Sequence, residues 1–352
     1  MTDKLLTIIV PSYNMEAYLE RGLSSLLVDE TRLKLLDVLV VNDGSKDRTS
    51  EIGHKFESDY PGVFRVIDKE NGHYGSCVNR GLKEARGTFV KVLDPDDAFD
   101  TEVFARYLDF LSGKEVRENA DLILSDLVEV DGEGKIVSTT RYSEYSNPFS
   151  VAQILSYDRQ NWFIHGLAYR TQKLVDMGYV QTEGMAYTDN EWTFFPMSTV
   201  EKCYRFNDVL YLYSVGREGQ SVSDEVHVKG LGKEAGMVRR MIEIYPSYVG
   251  KINKENLDFL KDRLITLANN MYQLYLVAFK KYSLDEEPLK SIDALLKQDS
   301  YKEVYQATDN YTTLIAKIKF RPVRYWRRHQ NLKLRIMDAM YKMADTLNKI
   351  RK

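Results

Sequence analysis

The chain of 352 residues (40.9 kDa) is 43% apolar and 29% charged, a balance that excludes a disordered, collagen-like or low-complexity polymer. At roughly 100–200 residues per domain it implies two or three domains. Its net charge of −3 hides an asymmetry, because residues 317–352 carry twelve Lys/Arg against Asp338 and Asp345, a local +10 that leaves −13 on residues 1–316.

Two cysteines, Cys77 and Cys203, without CxxC or His/Cys spacing, exclude a disulfide framework and a structural zinc site, so a reducing cytoplasm is the expected compartment. No apolar run approaches about 18 residues, and the first, Leu5–Val10, stops at Pro11, so neither a spanning helix nor a secretory leader is expected.

Leu5–Val10 and Leu36–Val41 are short β-branched apolar runs, each followed by polar turn residues, and both read as buried parallel strands. Helical spacing of Ala17, Leu19, Leu23, Leu26 and Leu27 lies between them, and of Ile52, Phe56 and Tyr60 after them. Further strands are predicted over Phe64–Ile67 and Phe89–Leu93, with a helix from Gly75 to Ala85 between. This alternation is the signature of βαβ crossovers in a parallel sheet. Leu122–Val130 and Ile136–Arg141 read as a hairpin around Asp131-Gly132-Glu133-Gly134. Aromatic strands are predicted over Trp162–Tyr169 and Val209–Val215, helices over 171–177 and 189–199, and long helical patterns over 254–282, 288–297 and 310–350.

In open parallel sheets ligands sit beyond the C-terminal strand ends. There the chain places Pro11-Ser12-Tyr13-Asn14-Met15-Glu16, Asn42-Asp43-Gly44-Ser45 and Asp94-Pro95-Asp96-Asp97. Each loop alone reads equally well as helix capping; three converging ones favour a site. Neither GxGxxG nor GxxxxGK[ST] is present, and the acidic, oxygen-rich edge suits Mg²⁺ or Mn²⁺ holding a diphosphate.

The blocks LLTIIVPSYNMEAYLERGLSSLL, LLDVLVVNDGSKDRT, ENGHYGSCVNRGLKEARGTFVKVLDPDDAF, GMAYTDNEWTFFPM and LYLYSVGREGQSVS, in order over about residues 5–223, resemble the family 2 inverting glycosyltransferases of bacterial, non-processive type. The resemblance implies a glycosyltransferase-A fold, α/β and Rossmann-like with a mostly parallel sheet, over residues 1–223, followed by an α-helical module over 224–352. It implies a nucleotide-sugar donor, most often a UDP-sugar, and a glycan, lipid-linked or glycoprotein acceptor. By the same resemblance Pro11, Tyr13 and Glu16 line the uridine pocket, Asp43 accepts the uracil N3–H, Asp94 lies near the ribose, and Arg217 and Ser221 lie near the diphosphate. Asp96 is the implied ligand of Mn²⁺ or Mg²⁺ with Asp97 beside it, Asp189 the general base and Glu191 its reserve.

Three positions depart from the family pattern. Asn42 replaces the first acid of Asp-Asp-Gly-Ser, Cys77-Val78-Asn79 lacks the usual arginine, whose contact is either lost or supplied elsewhere, with Lys69 a candidate, and Thr188 precedes the base where Glu is usual. A sugar-phosphate nucleotidyltransferase is the rival enzyme, but it calls for a Gly-rich basic loop where PSYN stands. The other rival is an inactive scaffold subunit.

Aromatic residues stack on sugars but also fill cores. Trp162, Tyr187 and Trp192, with His73 and His165, are candidate contacts of acceptor or donor sugar, and His227 is a weaker candidate ligand. In the tail, Ile336, Met340, Met343, Leu347 and Ile350 alternate steps of four and three, a seam suited to a homo-oligomer but short enough to serve intramolecular packing instead. Lys317, Lys319, Arg321, Arg324, Arg327 and Arg328 around Phe320, Tyr325 and Trp326 suit peripheral contact with the inner face of a membrane, and equally a solvated face or a subunit contact. No nucleic-acid recognition module accompanies the charge, so no nucleic-acid partner is expected.

Overall fold

The computed structural model describes residues 4–158, 162–185, 188–216, 224–279, 282–315 and 318–329. The chain forms two compact units, residues 1–220 with 250–260, and residues 221–249 with 261–352.

The first unit is built on one sheet. Among the described residues its strands are β1 (Leu6–Ser12), β2 (Leu36–Asn42), β3 (Phe64–Asp68), β4 (Phe89–Val92), β5 (Ala98–Phe99), β6 (Leu122–Val130), β7 (Ile136–Thr140), β8 (Leu167–Arg170) and β9 (Cys203–Ser214). They lie in the order β3-β2-β1-β4-β8-β6-β9-β5, with β7 on β6. β3, β2, β1 and β4 are mutually parallel, as are β6 and β9, while β8 is antiparallel to both its neighbours and β7 to β6. Every residue of β1 and β2 is buried, which is why these strands read as continuous apolar runs rather than alternations.

Helix Thr49–Asp59 follows β2, and helix His73–Glu84 follows β3. The latter presses closely on the sheet at Gly81, where an added Cβ would meet the Ile9 side chain at 2.6 Å. One buried charge in the strands, Asp37, is compensated by Arg65, whose Nε and Nη2 reach it at 2.9 and 3.1 Å, and by the Thr7 hydroxyl at 2.9 Å.

Three expectations are corrected here. Trp162–Tyr169 is not one strand, because a 3-10 turn at Ile164–Gly166 precedes β8. The helix expected over 189–199 is broken into Asp189–Trp192 and a 3-10 turn Phe195–Ser198, since Pro196 cannot continue the α-helical bonding. The helical pattern of 310–350 is interrupted by an antiparallel pair, Thr313–Ile315 with Ile318–Phe320, where β-branched residues gather, before the helix Pro322–Arg328 resumes.

The second unit is helical, with Asp224–Ile244, Glu287–Leu296, Lys302–Asp309 and Pro322–Arg328 among its helices. Part of the expected basic, aromatic surface is internal to it. Trp326 is buried, Arg327 bonds Asp293 at 2.7 Å, and Arg324 bonds Asp309 at 2.7 Å. The Ile336–Ile350 seam and Lys317 lie outside the described residues. No helix among the described residues is long and apolar enough to cross a membrane.

Candidate active site

The C-terminal ends of β1 and β2 hold the first two polar loops together. The Asp43 amide donates to the Ser12 carbonyl at 2.8 Å, the Asn14 amide to Ser45 Oγ at 3.0 Å, and the Lys46 amide to Asn14 Oδ1 at 2.8 Å. Asn14 has φ +53°, a left-handed turn that Asn tolerates. Asp43 is buried, and its Oδ1 accepts from Lys69 Nζ and from the Gly72 amide. Lys69 also donates to Ser76 Oγ at 2.8 Å.

Beside this lies a pocket of about 530 Å³ lined by Tyr13, Asn42, Gly44, Lys46, Asp68 and Lys69 among others. Tyr13 is exposed there. Pro11 is instead buried within β1, and the exposed Glu16 is bonded by the Arg48 amide at 3.0 Å, so neither lines this pocket.

Beyond β4, the Asp97 amide closes a turn on the Asp94 carbonyl at 3.0 Å. This turn and His165, carried by the Ile164–Gly166 turn, form a set of two carboxylates and one imidazole whose ligand atoms lie within 4.8 Å of one another. His165 Nε2 is 3.4 Å from Asp94 and 4.0 Å from Asp97. Tyr74 donates to Asp94 Oδ1 at 2.8 Å; Tyr211 and the Ser214 amide donate to the two oxygens of Asp97 at 2.7 and 2.8 Å. Arg21 ties the turn to β9 through the Asp96 carbonyl and Ser214 Oγ. Asp96, the expected ligand, is buried nearby but is not a member of this set, whereas Asp94 and His165, expected at the ribose and the donor sugar, are.

Burial, followed by the neighbouring charge of Asp94, pushes Asp97 up to about 8. Desolvation draws His165 down, but its bond to Asp94 and the charges of Asp94, Asp97 and Asp189 outweigh this and leave it raised. Burial and Asp94 hold the Tyr74 hydroxyl well above its ordinary value, protonated and donating. Two hard oxygen donors and an imidazole, crowded and short of positive charge, fit a divalent cation such as Mn²⁺ or Mg²⁺.

Asp189 opens its short helix half-buried, and its charge bears on both Tyr74 and His165. Glu191 is fully buried, with its oxygens accepting from the Thr182 amide at 2.5 Å and the Thr182 hydroxyl at 2.8 Å. Trp162 and Trp192 are core residues rather than platforms for a sugar. Trp162 is packed edge-on to Tyr142 and Phe259 with its indole N–H on the Thr193 carbonyl at 3.0 Å, and Trp192 is wholly buried between Tyr169 and Tyr179. His73 is exposed at the start of its helix, and His227 pairs with Glu234 at 2.8 Å in the second unit. Tyr187, Arg217 and Ser221 lie outside the described residues.

Sequence reasoning missed Tyr74, Tyr211 and Lys91. Of these only Lys91 carried a signal, a lysine inside an apolar strand. It is fully buried, donates to the His165 carbonyl at 2.5 Å and the Leu167 carbonyl at 3.3 Å, and is drawn down to about 7 by burial.

Residues 7–165 match the family described as Glycosyl transferase family 2. Among curated relatives, a minor teichoic acid biosynthesis protein, GgaB of Bacillus subtilis, is 28% identical over 44% of this chain and 16% of its own length. An uncharacterized glycosyltransferase of Mycoplasma pneumoniae, the MG025 homolog, is 38% identical over 29% of this chain and 34% of its own. The chain thus spans well under half the length of these relatives. The poly(ribitol-phosphate) beta-N-acetylglucosaminyltransferase TarS of Staphylococcus aureus is 24% identical over 96% of this chain and 56% of its own. The crystal structure of S. aureus TarS 1-349 superposes with a TM-score of 0.64 at 18% identity, covering 99% of this chain and 92% of that one, and so shares its fold.

Proposed function

We propose that this chain, whose residues 7–165 match the family 2 glycosyltransferases, moves one sugar, with inversion, from a UDP-hexose to a glycan, lipid-linked or glycoprotein acceptor. The observation that carries this reading is the Asp94–Asp97–His165 set beyond β4, with the Asp189 carboxylate bearing on it. TarS has been crystallised with UDP and with UDP-GlcNAc, which supports a nucleotide-sugar donor and makes UDP-GlcNAc the first to try.

In this mechanism Asp43 and the Tyr13 pocket receive the nucleoside, and Tyr74 and Tyr211 fix the carboxylates of Asp94 and Asp97. Asp94, Asp97 and His165 would hold a divalent cation, which when bound would supply Lewis-acid stabilisation of the charge on the departing diphosphate. Asp189 takes the proton of the acceptor hydroxyl as that oxygen attacks the anomeric carbon from the face opposite UDP, so one displacement turns an α-linked donor into a β-product. Arg217 and Ser221 are assigned to the diphosphate. Residues 1–223 are assigned the catalysis and residues 224–352 assembly or contact with a membrane surface.

The test is a hydrolysis screen across UDP-sugars with and without Mn²⁺, followed by acceptor trials with the preferred donor. One UDP-sugar cleaved faster with Mn²⁺ is the expected result. No UDP binding and no turnover of any donor would sink the reading and leave a scaffold.

A further inference from the structure

Helix His73–Glu84 touches three parts of the site at once. At its start the Gly72 amide holds Asp43, Tyr74 holds Asp94, and one face meets residues 181–184, the segment leading to Asp189. That meeting is close and specific. Asn79 Nδ2 donates to the Gln181 carbonyl at 3.0 Å while its Oδ1 accepts from the Gln181 amide at 2.8 Å, so one side chain satisfies both backbone groups of one residue, as a neighbouring strand would. The second hydrogen of the amide reaches Glu183 Oε1 at 2.9 Å. One turn away on the same face, Gly75 admits the segment so tightly that an added Cβ would sit 2.1 Å from the Thr182 carbonyl oxygen. The Gly184 amide completes the contact on the Gly72 carbonyl at 3.0 Å.

From the other side, Glu191 in the helix of Asp189 grips Thr182 with both oxygens, and it has no exposure through which to reach an acceptor. We propose that Asn79 and Glu191 are positioning residues that clamp residues 181–184 between the donor-binding helix and the helix of the base, so that Asp189 stands at a fixed place relative to Asp43 and Asp94. This rests on the transferase reading above. It gives a role to the carboxylate two residues from the base, whose oxygens accept from the Thr182 amide and hydroxyl, where a carboxylate serves as a rigid double acceptor.

The experiment compares wild type with Asn79→Leu, a near-isosteric change that removes all three bonds, and with Glu191→Gln. Hydrogen exchange of the 181–185 amides reads the clamp independently of turnover, and steady-state transfer reads its consequence. Asn79→Leu should speed exchange in that segment and lower kcat roughly 10- to 100-fold, the scale expected for a displaced catalytic group, with donor KM within about twofold. Glu191→Gln should lower kcat by less than about tenfold and keep the acidic limb of the pH–rate profile, because the base remains.

If Asn79→Leu does not fold, Asn79→Asp combined with Glu183→Gln reverses the polarity of one bond and should recover part of the rate lost in Asn79→Asp alone. Unchanged exchange at 181–185, an unchanged kcat, no recovery in the double variant, or loss of the acidic limb in Glu191→Gln would each overturn the proposal. A wild-type protein that transfers no sugar would fell the functional reading, while the exchange data would still judge the clamp.

Discussion

Asn42 and Asp68 face each other at the ends of β2 and β3, with Asn42 Nδ2 donating to Asp68 Oδ1 at 2.7 Å and Asn42 Oδ1 accepting from the Ser45 amide at 3.2 Å. The same Asp68 oxygen takes the Ser50 hydroxyl at 2.8 Å, and the other takes His54 Nε2 at 2.8 Å. Where the family carries an acid, this chain needs a donor, because the neighbouring strand already supplies the carboxylate.

Asn42→Asp should therefore destabilise the first unit by about 1 kcal/mol at neutral pH, the solvent-screened cost of replacing a part-buried bond to the exposed Asp68 by two facing carboxylates. The new acid's folded pKa is raised, so the penalty is full above it and fades as pH falls towards the unfolded value near 4. Urea melts at pH 7.5 and pH 4.5 check this, and an equal gap between variant and wild type at both pH values would refute it.

Metal binding separates two assignments of the acidic turn. The gathered set is Asp94, Asp97 and His165, so Mn²⁺ should tighten UDP binding, and Asp97→Asn should abolish most of that gain. Asp96→Asn, at the position implied by the family pattern, should retain more of it. Calorimetry of UDP with Mn²⁺ and with EDTA decides. Equal affinities in wild type would rule the site out, and a larger loss in Asp96→Asn would restore the pattern's assignment.

The sheet was legible because β1 and β2 are buried on both faces and announce themselves as apolar runs closed by Pro11 and Asn42. The acidic turn was legible for the same reason, as polarity placed abruptly at a strand end. What periodicity could not show was which acid points where: Asp94 and Asp97 meet because the turn closes between them, a fact of backbone geometry. Trp162 and Trp192 misled because an aromatic side chain has the same signature in a core as on a sugar-binding face. Lys91 sat in plain view in FVKV, but its target is a carbonyl 74 residues away.

Lys91→Met tests that contact. The amine lies beneath the His165 turn with the rings of Phe99 and Tyr211 about it, at 6.0 and 5.8 Å. Methionine matches its length, and removing a buried amine offsets the bonds lost, so stability should change by less than about 2 kcal/mol. The His165 carbonyl loses its donor, however, and the Mn²⁺-dependent gain in UDP affinity should fall by roughly tenfold as support is removed from the turn that carries the proposed ligand His165. A stable variant with undiminished Mn²⁺ response would show that Lys91 does not hold His165 in place.

In the second unit, Asp293 gathers Arg327 at 2.7 Å, the Tyr272 hydroxyl at 2.7 Å and Lys297 as an ion pair at 3.0 Å, while Arg327 also donates to Thr308 Oγ1 at 2.9 Å. Desolvation of Asp293 works against its charge, but the Tyr272 bond and the Arg327 and Lys297 charges outweigh it and leave its pKa lowered. A lowered acid contributes stability that is present above the unfolded value near 4 and is lost as pH falls through the folded value. Asp293→Asn removes this contribution and leaves the buried Arg327 guanidinium only its longer pair with Asp309 at 3.6 Å, at a cost of about 2–4 kcal/mol. Replacing both partners, Asp293→Leu with Arg327→Met, removes the charge and the need for it together and should restore most of that loss. Urea melts followed by tyrosine and tryptophan fluorescence at pH 7 and pH 3 measure all three chains. The single variant should lie well below wild type at pH 7 and closer to it at pH 3, and a double variant no more stable than the single one would show that the network holds the unit together by its hydrogen bonds rather than by compensating a buried charge.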